Sequence, residues 1–531
     1  MHKISVIDVE TGKESSLSGT DKTKRSKAET KKDQLISFML YGKERTDFYG
    51  DQEQPLPQFL DIVLDFATGT DKDVLFLSRC ILYAKKKSIN NELSIIALLA
   101  LSLNESAYAK NKFRVLFPKV IVIPSDLQFF MYMVKLKAFR GFGKLIRTSL
   151  ADWLNAASIG VLSVLSVYPQ TERSSSPRIK DFTLRDLIRL SHVKGSNQRK
   201  QAIYNFIMRG TASKYLPSVI PATKELFNNR TTQAKFDELI EKNNFFVYPV
   251  KNPSTPKAWN SLFQSTDMER SLSSLMKYET EVFKERDNIN LFTSVLCDKE
   301  KVLKMKHTPF DYSFYYDNYS ARSVSQKEEV KLGLKMGIEN SYGNLSFYKK
   351  TAIIIVDQSQ ATKVSQSLIS QINDSTILST YAAIFSKIFE KAYIVPFDST
   401  AQVIEDLPKD TISRSDYITY SMKGLTRDYK QPFNKILQEE LKCDVLIALT
   451  TNNSWFSILR NTDAGTILSN YMNNVNVPEK SFYITLSSGH IIRENHSLRN
   501  AHFMYGLGGM YKFIDLQLDK EHKDKIQSIE F

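Results

Sequence analysis

The sequence predicts a multidomain chain, an all-α array of helix pairs followed by a doubly wound α/β domain. Three observations predict it: the length, the division of charge, and a change of hydrophobic period near Tyr348. At 531 residues the chain exceeds what one core usually serves, and 42% hydrophobic with 11% aromatic residues can fold most of it. The net charge of +14 is not spread evenly. Residues 348–531 hold 20 Lys and Arg against 20 Asp and Glu, so the totals of 72 and 58 leave 52 against 38 for residues 1–347. A basic part and a neutral part are therefore joined in one chain.

Residues 1–32 are rich in Ser, Thr and Lys with few apolar positions, a composition that cannot offset chain entropy by burial, and they read as a flexible arm. Over 33–346 apolar residues recur at helical spacing, as in Phe59, Ile62, Val63 and Phe66, then Ile95, Ile96, Leu99 and Ala100. Punctuation such as Gly69-Thr70-Asp71 and Pro124-Ser125-Asp126 separates these runs and supplies capping residues. No strict period is visible, so the repeats are expected to be degenerate and of the armadillo or HEAT kind.

Over 347–531 the pattern changes. Thr351 to Asp357 reads as a strand buried on both faces and ending on an acid, and similar runs recur at Tyr393–Phe397, Val445–Leu449 and Phe482–Leu486. Helical patterns lie between them, which implies a parallel sheet wound on both sides. Ligands of such sheets sit at the carboxyl ends of the strands, where Asp357 falls.

No run of about 18 apolar residues occurs and the N-terminus has no signal-peptide core, so a cytoplasmic protein without a membrane span is expected. Cys80, Cys297 and Cys443 lie far apart without a CxxC pair, suggesting neither a zinc cluster nor a disulfide framework.

The basic excess is clustered. Lys135–Arg147 carries five basic residues and no acid; Arg173–Lys214 carries ten against Asp181 and Asp186. Phosphates neutralised by such groups release counterions, which makes a polyanion the natural partner. A single cluster reads equally as a solvated face, and two close in sequence tilt the balance toward nucleic acid.

The run Asp357-Gln358-Ser359-Gln360-Ala361 resembles a damaged copy of the DxSxS motif of von Willebrand A domains, in which an Asp, two Ser, a Thr and a second Asp hold Mg²⁺. Asp357 and Ser359 match, Ala361 replaces the second Ser, Thr426 can stand for the loop Thr, and Thr450-Thr451-Asn452 has no Asp. Three of five ligands do not hold an ion tightly, so the cofactor expectation is none, or a weakly bound Mg²⁺ at a degenerate metal-ion-dependent adhesion site.

Gly141-Phe142-Gly143-Lys144-Leu145-Ile146-Arg147, running to Ala151-Asp152-Trp153, resembles a segment of the TROVE module of Ro and telomerase-associated proteins. Some thirty residues later, Asp186-Leu187-Ile188-Arg189-Leu190-Ser191-His192-Val193-Lys194 is similar to that module's Arg-Leu-Ser-His segment, and weaker matches run through Trp259–Leu275 and His307–Phe310. The order of these motifs, followed by an A-like domain, resembles the Ro family from about Asp33 onward.

That resemblance implies a ring of HEAT-like helices closed by the A-like domain, with single-stranded RNA ends in a central hole and structured RNA on a basic outer face. His192 and Lys194 are the first contact candidates, then Arg140, Lys144, Arg147, Arg185 and Arg189, any of which reads equally as a solvated or structural residue. Arg189 has Asp186 at i,i+3 as an alternative partner. The family's basic stretch before its Asp-Leu-Leu-Arg segment is replaced here by Pro169–Lys180.

The implied partners are small non-coding RNA, single-stranded RNA ends and an exoribonuclease such as polynucleotide phosphorylase, in RNA quality control, with the protein a monomer. A non-catalytic protein-interaction scaffold using the A-like domain is the alternative. An enzyme is not expected. The histidines form no HExxH, no Ser sits in a GxSxG elbow, and Gly506-Leu507-Gly508-Gly509 lacks a phosphate-binding frame and reads as a turn.

Overall fold

A computed structural model of the protein describes residues 6–7, 14–15, 27–41, 48–49, 56–87, 91–135, 142–167, 182–228, 230–243, 254–255, 257–258, 261, 283, 286–320, 327–364, 372–451, 455–486, 500–506, 510–519 and 521–531. Strands β1 (Val6–Ile7) and β2 (Glu14–Ser15) pair antiparallel. Helix α1 (Lys27–Tyr41) starts within the stretch whose composition suggests a flexible arm. Its later turns bury Leu35, Phe38, Met39 and Leu40, and a helix anchored so firmly extends back through polar residues.

After the two-residue strand β3 (Phe48–Tyr49) the helices follow closely: α2 (Leu56–Thr68), α3 (Asp71–Lys87), α4 (Asn91–Leu101), α5 (Ala107–Val120), α6 (Pro124–Lys135), α7 (Lys144–Ala156) and α8 (Ile159–Val167). Then come α9 (Leu184–Ser191), α10 (Gln198–Arg209), α11 (Val219–Leu226) and α12 (Gln233–Lys242), and beyond them α13 (Arg286–Cys297), α14 (Lys299–Met305), α15 (Pro309–Ser320) and α16 (Lys327–Asn340). Their ends are where the turn residues place them. Thr70 and Asp73 cap α3 reciprocally, and Asp126 accepts from the N–H groups of Val122 and Ile123 while its other oxygen takes the Lys85 ammonium at 2.9 Å, tying α6 to α3.

One apolar core runs from α1 to α11, and a second continues from Val164 and Val167 through Leu226, Phe236, Phe292 and Tyr312 to Leu334. Most of the aromatic run Phe310–Tyr319 serves as packing, with Phe310, Tyr312 and Tyr319 buried and Phe314 facing out.

Strands β4 (Tyr348–Asp357), β5 (Phe389–Phe397), β6 (Val445–Thr450), β7 (Lys480–Thr485) and β8 (Ala501–Tyr505) form a parallel sheet in the order β5-β4-β6-β7-β8, with β3 added outside β8. The connecting helices are α17 (Gln360–Val364), α18 (Asp374–Ile388), α19 (Thr411–Tyr420), α20 (Lys430–Gln438), α21 (Trp455–Asn461), α22 (Asp463–Asn474), α23 (Met510–Leu518) and α24 (His522–Gln527). Along β4, Ala352, Ile354 and Val356 pack beneath α18, α19 and α23, whereas Ile353 and Ile355 pack beneath α20, α21 and α22. Both faces are covered, which is why these strands read as continuous apolar runs. Winding reverses between β4 and β6, so the crevice of this sheet opens at their carboxyl ends.

Both ends of the helical array dock on this domain. At the far end, Phe310 of α15 packs on Tyr381 and Phe385 of α18, and Lys335 of α16 pairs with Asp410 at 3.0 Å. At the near end, Arg79 of α3 donates to the Ile529 carbonyl, and Tyr83 bonds Nδ1 of His522 at 2.8 Å. Nε2 of His522 lies 2.8 Å from the Leu516 carbonyl, which can only accept, so Nε2 carries a proton. Packing thus runs in a closed circuit from α1 through the array and the sheet to α24 and back to α3.

Candidate functional site

The two basic clusters, separated in sequence, meet in space. Gln128 of α6 clasps the backbone of Phe182, donating to its carbonyl and accepting from its N–H, and the ammonium of Lys135 lies 5.9 Å from the Phe182 ring. The end of α6 and the start of α9 are thereby held together. Helix α7 is oriented by Trp153, whose buried indole N–H donates to the Ile121 carbonyl at 2.6 Å. With Ile146, Leu150 and Leu154 facing the core, Lys144 and Arg147, one turn apart, are left on the exposed side.

The same logic acts in α9. Leu184, Leu187, Ile188 and Ser191 are buried, while Arg185 and Arg189 face solvent. Asp186 does not pair with Arg189, because its carboxylate closes a capping box with Thr183. The helix ends on His192, exposed and in the left-handed region at φ 53°.

The loop that follows is fastened to α7 by Asn155, which donates to the Lys194 carbonyl at 2.9 Å and accepts from the Ser196 N–H at 3.1 Å. Gly195 is required here, since a Cβ would lie 2.3 Å from the Gln201 nitrogen. His192 and Lys194 therefore project from a braced loop beside α7. Not every cation in the cluster is available. Lys200 is buried, its ammonium given to the Leu154 and Ala157 carbonyls at the end of α7, and burial pushes its pKa below the ordinary lysine value.

Lys135, Lys144, Arg147, Arg185, Arg189, Lys194 and Arg199 form no ion pair with a described acidic side chain. A further cation, Lys224 of α11, lies 5.4 Å from the Phe206 ring of α10. Loss of solvent, then the charge of nearby Arg185, pushes its pKa down. Sequence reasoning missed Lys224 and Phe206, which carry no motif and reach Arg185 only through the packing of α9, α10 and α11. Arg140, the Pro169–Lys180 stretch and most of Trp259–Leu275 lie outside the described residues.

The second site is at the winding reversal of the sheet. Asp357 ends β4, fully buried, and its Oδ2 accepts from the Thr450 hydroxyl at the end of β6, at 2.7 Å. The Ser359 N–H donates to Oδ1 at 3.1 Å. Thr426 is exposed, and the side chain that reaches Asp357 is its neighbour Arg427, whose Nε lies 2.7 Å from Oδ2. Nε also donates to the Ser359 hydroxyl at 3.1 Å, Nη2 to Thr451 at 2.9 Å and Nη1 to Tyr429 at 3.1 Å.

Asp398, after β5, anchors the Arg427 loop by accepting from the N–H groups of Gly424 and Leu425. Burial alone would raise its carboxyl, but these bonds and those from Thr400 outweigh it and hold the pKa below the usual carboxylate range. Asn452 lies outside the described residues. A basic residue directly after the expected loop Thr was the one sequence signal for Arg427.

An array of helices whose two ends close on a doubly wound parallel domain, with cations unpaired among the described residues gathered on adjoining helices, defines the class of the molecule. The crystal structure of the Ro (Rsr) protein of Deinococcus radiodurans is similar over 92% of this chain and 99% of its own, with a TM-score of 0.70 and 15% sequence identity. No family model matches the sequence. The chain has the fold of that Ro protein.

Proposed function

We propose that this chain is a divergent Ro protein that binds RNA without catalysing a reaction on it. Its helical array is then the HEAT-like TROVE ring, its sheet domain the von Willebrand A-like closure, and the exposed cations of α7, α9 and the 192–197 loop part of the RNA surface. The observation that carries this reading is that group of cations, unpaired among the described residues, on α7, α9 and a loop braced by Asn155. Surface cations left without acidic partners gain most from phosphates, and an exposed His192 or half-buried Phe206 offers a face to an unpaired base.

Structured non-coding RNA is held on the basic outer face and single-stranded 3′ ends enter the central hole. The cell biology that fits is RNA quality control in the cytoplasm, with RNA presented by a monomer to an exoribonuclease such as polynucleotide phosphorylase. The test is filter retention of a small hairpin RNA, with and without a single-stranded 3′ tail, over a salt series. Tail-dependent binding that persists at physiological salt and weakens when Lys144, Arg147 and His192 are replaced by Ala is expected. Binding indifferent to both tail and replacements would sink the proposal.

A further inference from the structure

The Asp357 site has the frame of a divalent-cation motif, and its described residues do not fit a divalent cation. A Mg²⁺ ion takes its oxygen ligands at about 2.0–2.1 Å with lone pairs aimed at the metal. Here the Asp357 Oδ2 lone pairs already receive the Thr450 hydroxyl and face Arg427 Nε, both at 2.7 Å. The Ser359 and Thr451 hydroxyl oxygens accept from the same guanidinium. The oxygens that would converge on an ion converge on Arg427.

We propose that the Arg427 guanidinium takes the position of the cation, making this domain independent of divalent metal and closing its crevice to metal-bridged acidic ligands. Charge supports the second half. One Asp with Mg²⁺ leaves a site of net charge +1 that can recruit a carboxylate; one Asp with one Arg leaves it neutral. Every nitrogen of the guanidinium is directed at a partner inside the protein, and only 12% of the side chain is exposed.

The arrangement is built from both ends. Asp398 holds the backbone before Arg427 at Gly424 and Leu425, and the Asp428 N–H after it donates to the Asp398 carbonyl at 2.9 Å. The Leu425 carbonyl accepts from the Gln360 N–H, and Lys363 donates to the Met422 carbonyl at 2.8 Å, fastening the loop to α17. Gly424 stands at φ 75°, where a Cβ would meet the Lys363 side chain at 2.7 Å. The loop is thus set in one place with Arg427 directed inward.

The test is Mn²⁺ titration of the intact chain followed by electron paramagnetic resonance, with thermal unfolding in Mg²⁺ and in chelator alongside. Wild type is expected to show no Mn²⁺ signal loss that depends on Asp357 and no shift of midpoint between Mg²⁺ and chelator. Arg427→Ala is expected to gain about one bound Mn²⁺, lost again when Asp357→Asn is added, and a midpoint that Mg²⁺ raises. Stoichiometric Mn²⁺ uptake by wild type that Asp357→Asn abolishes would overturn the proposal, as would a folded Arg427→Ala chain that takes up none. If Arg427→Ala does not fold, the wild-type titration and its Asp357→Asn control decide.

Discussion

Arg185 and Arg427 are the same side chain put to opposite ends. On α9, Arg185 is exposed beside Lys224, a like charge that raises the cost of leaving the group without a phosphate. At the carboxyl ends of β4 and β6, Arg427 is nearly enclosed and meets a carboxylate, two hydroxyls and a phenol. A cation in water is held cheaply and remains available to a ligand, whereas a cation withdrawn from water must be satisfied internally and then belongs to the fold. Burial, not residue type, separates the exposed cations from those that belong to the fold.

The comparison breaks most sharply at Arg427. Arg427→Met leaves Asp357 buried with its ionic partner gone, and a loss of about 3–5 kcal/mol in unfolding free energy is expected from urea titration. An unchanged midpoint would remove the distinction between the two sites. Lys200 tests the same rule inside the basic cluster. Lys200→Met leaves the Leu154 and Ala157 carbonyls short of a donor, so about 1–3 kcal/mol of stability is expected to go while the salt dependence of RNA retention stays as in wild type.

On the exposed face the pattern inverts. Lys144→Ala with Arg147→Ala should leave the urea midpoint nearly unmoved and flatten the logarithmic salt slope of RNA binding by about 1.4–1.8, two phosphate contacts' worth. Phe206→Ala combined with Lys224→Ala asks whether the missed pair belongs to that face. Weaker retention of tailed RNA than of blunt hairpin would place it there, and equal retention would leave it as packing.

The two joints respond to pH in opposite directions. Burial beside Tyr41 and Tyr83 pushes the His522 pKa below its ordinary value, so the unfolded chain takes up the proton first. That joint's contribution is present above about pH 6.5 and is lost as pH falls through the lowered folded value. At the other joint, loss of solvent and the neighbouring Asp416 push Asp317 of α15 up to about 7, against a Thr380 hydroxyl that pulls it down. The folded state here prefers the protonated acid, so its contribution is full below about pH 4 and is lost as pH rises through about 7. Asp317→Asn should therefore stabilise the chain at about pH 8 relative to wild type and do little at about pH 4, read as thermal midpoints. His522→Gln should blunt the loss on the acid side.

The elements legible in the sequence were those whose burial is written in one stretch of chain. Strands β4, β5, β6 and β7 announced themselves because both faces are covered and each reads as an apolar run. Strand β8 did not, since His502 interrupts a five-residue run, and α19 did not, since it follows a turn and exposes Asp416, Tyr417 and Tyr420. Asp357 and Ser359 stood out because a strand ending on an acid and a nearby hydroxyl form a local pattern.

By itself, the sequence determined the order of a basic helical part and a neutral sheet part, the caps that start α3 and α6, and which helix faces turn inward. These depend on neighbours three or four residues away, and local periodicity encodes them. Only the tertiary structure decided that α24 returns to α3, that β3 joins the far edge of the sheet, that Lys200 is spent on carbonyls while Lys194 is not, and that Arg427 fills the crevice in place of its neighbour Thr426. Each of those outcomes depends on which distant segments exclude water from a charge or a backbone group, and that is settled by packing across the whole chain.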